Sequence, residues 1–155
     1  MSRDEPLGRD FYRVWRQIGT RWSDNDQYGH VNNTVFYQWF DTAVNGWLID
    51  QGLLRLGESG RPIGLVAETA CTFLRPLSYP ATVEVGLAAA RIGSASVTYR
   101  IGIFAQGSDS PAAEGRFVHV CVDPRSHRPV PMPAEWRSAL ERIAAPPQGA
   151  AARSA

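Results

Sequence analysis

Residues 21–52 read RWSDNDQYGHVNNTVFYQWFDTAVNGWLIDQG, and two patterns meet inside them. From Val35 onward apolar residues return at steps of three and four: Val35, Phe36, Trp39, Phe40, Ala43, Val44, Trp47 and Leu48. Gln38, Asp41, Thr42 and Asn45 take the other face. This spacing predicts one helix of about five turns, capped at its start by Asn32, Asn33 or Thr34 and ended at Gly52. The stretch before it, Ser23–Asn33, is dense in Asp, Asn and Gly, which is loop chemistry. The apolar stripe is wide and aromatic, as expected of a helix wrapped on one side by a sheet, and Trp39 and Trp47 read as core.

Outward from the helix the pattern turns to strands. Phe11–Trp22 mixes aromatic, β-branched and Arg residues and predicts a strand before the loop. After the helix come Gly64–Leu74, closed by Arg75-Pro76, then Thr82–Ile92, Ser96–Gln106 and Glu114–Val122, each alternating in places with period two. Gly93-Ser94 and GSDSPA read as turns, so most of these strands should be joined as hairpins and pair antiparallel. Ala134–Ile143 can form a short closing helix. The order strand, long helix, four strands is an α+β arrangement in two layers: a curved antiparallel sheet of about five strands wrapped on one long helix. Residues 1–10 and 145–155 read as loose tails, and 11–144 as one domain. Such a sheet leaves edges that natural proteins cover or pair, so a homodimer or homotetramer is expected.

The 155 residues include 16 basic and 15 acidic ones, a formal charge of +1, which speaks against nucleic acid or an anionic membrane as partner. Every basic residue other than histidine is Arg. Without Lys there is no Schiff base, no Walker A loop and no biotinyl or lipoyl attachment point. Cys71 and Cys121 stand far apart, and His30, His119 and His127 have no ligand spacing, so no metal, disulfide or cofactor is expected. No apolar run is long enough to span a bilayer, and MSRDEPLGRD is too polar for a signal peptide. A cytoplasmic protein is the expectation.

The loop carries the chemistry. Asp24 and Asp26 sit two residues apart, Gly29 permits a close backbone approach, and the helix start offers unpaired N–H groups at the positive end of a dipole. Such an end suits a carbonyl oxygen gaining negative charge. A plain capping loop would use the same residue types. Asp24 alone suggests a loop hydrogen bond or a pair with Arg21.

The order D-x-D-x-x-G-H-V-N-N (Asp24–Asn33), the aromatic helix, the later Leu74-Arg75-Pro76 and the segment from Val122-Asp123 to Arg128-Pro129-Val130-Pro131 resemble the hotdog-fold acyl-CoA thioesterases of the 4-hydroxybenzoyl-CoA thioesterase type. They are also similar to acyl-carrier-protein thioesterases. The resemblance covers about Trp15 to Leu140. It implies a hotdog fold, hydrolysis of a thioester of CoA or acyl carrier protein, Asp26 as the catalytic carboxylate, and the backbone N–H of Asn33 or a neighbour as oxyanion donor. His30, Gly29 and Asn32 match the motif, His30 orienting Asp26 or the substrate. Phe36 stands where the family usually has Tyr. In hotdog dimers the site is completed across subunits, which makes Glu68 and Thr69 candidates to line the partner's pocket; Glu68 facing solvent is the plainer alternative.

Among other residues, Arg75, Arg91 and Arg100 are candidates for CoA phosphates, though single arginines usually sit on solvated faces. His119, alternating with valines, reads as a satisfied sheet histidine. Two rival functions remain. A hotdog enoyl-CoA hydratase would carry D-x-N-P-x-H, whereas here the Asn-Pro is missing and Asp26 and His30 are four apart. A non-catalytic acyl-binding protein would bind thioesters without turnover.

Overall fold

A computed structural model describes residues 5–147. In chain order it contains β1 (Val14–Gly19), α1 (Asn33–Asp50), β2 (Ile63–Phe73), β3 (Thr82–Ile92), β4 (Ser96–Ala105), β5 (Ala113–Val122) and α2 (Ala134–Arg142). The strands form one antiparallel sheet in the order β1-β3-β4-β5-β2. This is the hotdog arrangement, α1 lying against the concave side of a curved sheet.

The eight apolar residues of the predicted stripe are the eight that α1 buries. Asn32 is the cap: its Oδ1 accepts from the Thr34 N–H at 2.9 Å. At the far end Gly52 has φ +71°, Gly52 N–H donates to Ile49 O and Leu53 N–H to Leu48 O, the paired bonds of a Schellman stop. Phe40, fully buried, drops into a hole opposite Gly115, where a Cβ would lie 2.4 Å from its ring. The side of β3, β4 and β5 that meets α1 carries Val83, Val85, Leu87, Val97, Tyr99, Ile101, Ile103 and Phe117 into the same core.

One expectation needs correction and two are sharpened. The first strand is short, because Arg9–Phe11 and Trp22–Asp24 are single 3₁₀ turns flanking it. β2 does not form a hairpin with β3. It pairs with β5 at the opposite edge, so residues 74–81 carry the chain across one end of the sheet. And the stretches read as loose tails contribute packing where they are described. Leu7 and Ala145 pack on a second cluster of Phe11, Tyr12, Ala88 and Phe104, and Ala145 N–H donates to Ala89 O at 2.8 Å. This cluster covers the outer face of the sheet beside β1, an apolar surface that α1 cannot reach. Residues 1–4 and 148–155 of the expected tails lie outside the described residues.

β2 is the bare edge. Leu65, Val66 and Phe73 are 37%, 47% and 46% exposed. A bulge between Val66 and Glu68 shifts its register on β5, so Glu68 comes to the outer face and Thr69 to the helix side.

Candidate active site

The loop between β1 and α1 is built around two carboxylates with different surroundings. Asp24 is 1% exposed and fully engaged. Its carboxylate accepts from Arg21 N–H at 2.7 Å and from the Arg21 guanidinium at 2.8 and 3.0 Å, while its carbonyl accepts from Asn32 N–H at 2.8 Å. Asp24 therefore ties the strand's end to the helix cap, and the pairing with Arg21 read from sequence is present.

Asp26 closes a turn. Gly29 N–H donates to Asp26 O, and Gly29 takes φ +79°, where a side chain would be strained. Asp26 Oδ1 accepts from Tyr28 N–H at 2.8 Å and from His30 N–H at 3.4 Å. Oδ2 has no partner among the described residues. One oxygen is thus held and the other is not. The His30 backbone holds Asp26 from the other side, its carbonyl accepting Asp26 N–H at 2.8 Å, while its imidazole is exposed.

The crossing segment anchors this turn from the other side. Val31 N–H donates to Leu77 O, Tyr79 N–H to Asn25 Oδ1, and Ser78 Oγ–H to Gly29 O, at 2.7, 2.9 and 2.8 Å. The link that is not a hairpin is therefore what fixes the loop.

At the first turn of α1, Thr34 N–H is taken by the Asn32 side chain and Val35 N–H by the Asn32 carbonyl. The Asn33 N–H has no acceptor among the described residues. This donor, at the positive end of an 18-residue helix, is free for a ligand.

Asp26, His30 and Asn33 line one open cleft of about 400 Å³ with Val31, Phe36, Phe73, Leu74, Arg75 and Pro76. Its apolar wall is aromatic: the Phe36 ring sits edge-on to Phe73 with centroids 5.2 Å apart. Gly29 and Asn32 serve as turn and cap beside it. Glu68 and Thr69 do not line the cleft of their own chain. Glu68 is half exposed and pairs with Arg116, so its solvent-facing alternative holds within one protomer. Phe73 is the site residue not singled out as such, and Arg75, a candidate for CoA phosphates, stands at the same cleft. An aromatic at a strand's end reads as core until the strand is known to end at the helix mouth.

Other nucleophiles are poorly placed. Burial pushes the Cys71 thiol up to about 12, and the Cys121 thiol is also raised by burial, so neither offers a thiolate at neutral pH. His119 is buried in the sheet, as expected, but it is not satisfied. Its Nδ1 has no partner among the described residues, being walled in by Phe117, Tyr99 and Gly64. Burial pushes its imidazole down to about 4. Among the described residues no three His, Cys, Asp or Glu side chains gather as a metal set, and no helix is long and apolar enough to cross a membrane.

Asp26 and Asn33 thus line one cleft at the start of the helix, and comparison with known proteins places the whole chain in a family. No curated protein sequence matches the chain. Among solved structures it is similar to the PA5185 protein of Pseudomonas aeruginosa, at 45% identity and TM-score 0.88, over 94% of this chain and all of that one. It is also similar to the PA2801 protein of the same organism, whose name assigns it provisionally to the thioesterases, at 31% identity and TM-score 0.76, over 83% and 97% of the two chains. A 1,4-dihydroxy-2-naphthoyl-CoA thioesterase from Synechocystis shares the fold at 20% identity and TM-score 0.75, over 81% and 93%. The family model described as "Thioesterase-like superfamily" matches residues 20–140, and the chain belongs to that superfamily.

Proposed function

We propose that the protein is an acyl-CoA thioesterase of the 4-hydroxybenzoyl-CoA type, acting without metal or bound cofactor. The observation that carries this reading is the shared cleft of Asp26 and the Asn33 N–H. A thioester carbonyl seated there has a hydrogen-bond donor for its oxygen and a carboxylate for its carbon or for a water beside it. In the base route Asp26 takes a proton from water and the hydroxide adds to the carbonyl carbon. The oxyanion is held by the Asn33 N–H, a contribution of roughly 2.7–4 kcal/mol for a well-placed donor. Collapse breaks the C–S bond, and the thiolate leaves with the proton held by Asp26. In the nucleophile route Asp26 itself adds, the C–S bond breaks and the thiolate leaves to take a proton from solvent, and water then opens the mixed anhydride to the free acid and the Asp26 carboxylate. Phe36, Phe73 and Val31 offer the acyl group an apolar wall.

The protein acts, in this reading, as a cytoplasmic homodimer or homotetramer. The bare β2 edge, with Leu65, Val66 and Phe73 uncovered, is where a second copy would pair, bringing Glu68 and Thr69 to the neighbouring cleft. The two free cysteines suit a reducing compartment.

The test is thiol release from a panel of acyl-CoA and acyl-carrier-protein thioesters, with wild type beside Asp26→Asn. A loss of at least ~10²-fold in kcat is expected, the lower end of what a positioned base contributes. Equal rates would remove Asp26 from the mechanism. Hydration of crotonyl-CoA without thiol release would mark the protein as a hydratase, and binding without turnover as a carrier.

A further inference from the structure

The outer face of the sheet is covered beside β1 but opens toward β5, and there two guanidinium groups are placed against each other. Arg100 of β4 and Arg116 of β5 are directly opposed in the ladder. Like charges in such a pair repel. Arg116 has Glu68 as partner, while Arg100 makes no ion pair among the described residues and its Nε is buried without an acceptor. Glu114, also on this face, is engaged by the Leu7 N–H.

A second orphan lies on the same face. The Tyr12 ring covers Gly102, two residues along β4 from Arg100, with its hydroxyl 2.7 Å from where a Gly102 Cβ would stand. Tyr12 is 4% exposed and its hydroxyl has no partner among the described residues. Burial and the charge of Glu114 push its pKa up, so the phenol remains a donor at neutral pH. The Tyr12 hydroxyl lies outside the cleft lining, but the buried Nε of Arg100, a donor on a cation without an ion pair among the described residues, costs stability unless an anion answers it.

The space is ligand-sized. A cleft of about 350 Å³ opens at Arg100, Arg116 and Thr98, with Phe11, Ala90 and Pro146 as apolar walls. It is larger than a bare inorganic anion needs and falls in the range of small-molecule sites. None of the cleft-lining residues of the thioester site takes part in it.

We infer that this outer-face cleft is a phosphate-ester site, Arg100 and Arg116 holding the phosphate and the apolar walls holding the organic body, as in an adenine nucleotide. The nucleotide end of CoA and a free nucleotide share this chemistry. Only the link to CoA rests on the thioesterase reading.

The experiment is titration of the purified full chain with 3′-phosphoadenosine 5′-diphosphate and with ADP, followed by calorimetry. Saturable binding is expected, weakened at least ~10-fold in Arg100→Gln, as for loss of a charge-assisted bond. Arg116→Gln, at a half-exposed position, supplies a second variant should the first unfold, and thermal melts check both. No saturable binding to wild type, or equal affinity in wild type and a folded variant, overturns the site whether or not the protein hydrolyses thioesters. A second arm separates the sources. If the site serves CoA, the variants raise KM for an acyl-CoA and leave KM for the matching acyl-pantetheine unchanged. If it serves a free nucleotide, neither KM moves while nucleotide binding still weakens.

Discussion

The loop of residues 24–33 and the helix of residues 33–50 meet at Asn33 and are held together in opposite ways. Across the helix, side chains at three- and four-residue steps are buried against the sheet, Phe40 and Val44 fully so. Along the loop, shape comes from backbone N–H groups donated to Asp24, Asp26, Leu77 and the Asn32 side chain, while Tyr28 stays 76% exposed. The helix gives its eight apolar side chains to packing against the sheet. The loop leaves two polar groups without a partner among the described residues, Asp26 Oδ2 and the Asn33 N–H, and these are the groups the proposed reaction uses.

That contrast can be broken from either side. On the packing side, Phe40→Ala should cost about 3–5 kcal/mol, because the Gly115 hole cannot collapse onto a methyl. Urea unfolding measures it, and kcat per folded molecule should stay close to wild type. A change in kcat as large as that of Asp26→Asn would show that core and loop are not separable.

The buried histidine gives the packing side a pH signature. His119 is held near 4 when folded, against 6.5 for an unperturbed imidazole, so the unfolded chain binds the proton more readily. Its contribution is therefore complete above 6.5 and is lost as pH falls toward 4, on the order of 3 kcal/mol in all. Denaturant midpoints at several pH values should show this decline, and His119→Phe should flatten it. An unchanged slope in that variant would mean the acid sensitivity arises elsewhere.

On the loop side, Asp26→Asn keeps an Oδ1 that can accept the Tyr28 and His30 N–H groups, so the melting temperature should hold while kcat falls by at least ~10²-fold. A melting temperature that fell with the rate would place Asp26 among the structural residues instead. The smallest effect is expected at the junction. Asn32→Ala removes the cap and should cost about 1 kcal/mol, with Asn32→Ser recovering most of it. Because the cap takes the Thr34 N–H and leaves the Asn33 N–H unclaimed, kcat should fall in the alanine variant and return in the serine one.

How far the sequence carries depends on whether a residue's partners are near it in the chain. Val35 to Leu48, the Asn32 cap and the Gly52 stop are local, and all are present as read. Asp24 with Arg21 is an i,i+3 pair and was equally legible. Phe73 was not, because its place at the cleft follows from β2 pairing with β5 at the far edge and not with β3. His119 looked satisfied because alternation predicts burial but says nothing of who stands opposite, which here is a glycine and two aromatic rings. Glu68 followed the same rule: a bulge one residue before it decided its face.

By itself, then, the order of residues determined one amphipathic helix, the strands on either side of it, and a carboxylate turn at the helix start. These depend on periodicity, capping and turn chemistry, which act over a few neighbours. The tertiary structure alone decided which strand forms the uncovered edge, which segment braces the Asp26 turn, and that Arg100, Arg116 and Tyr12 share one face. Those outcomes depend on contacts between residues up to about a hundred positions apart, set by strand register and the crossing connection, and no local pattern encodes them.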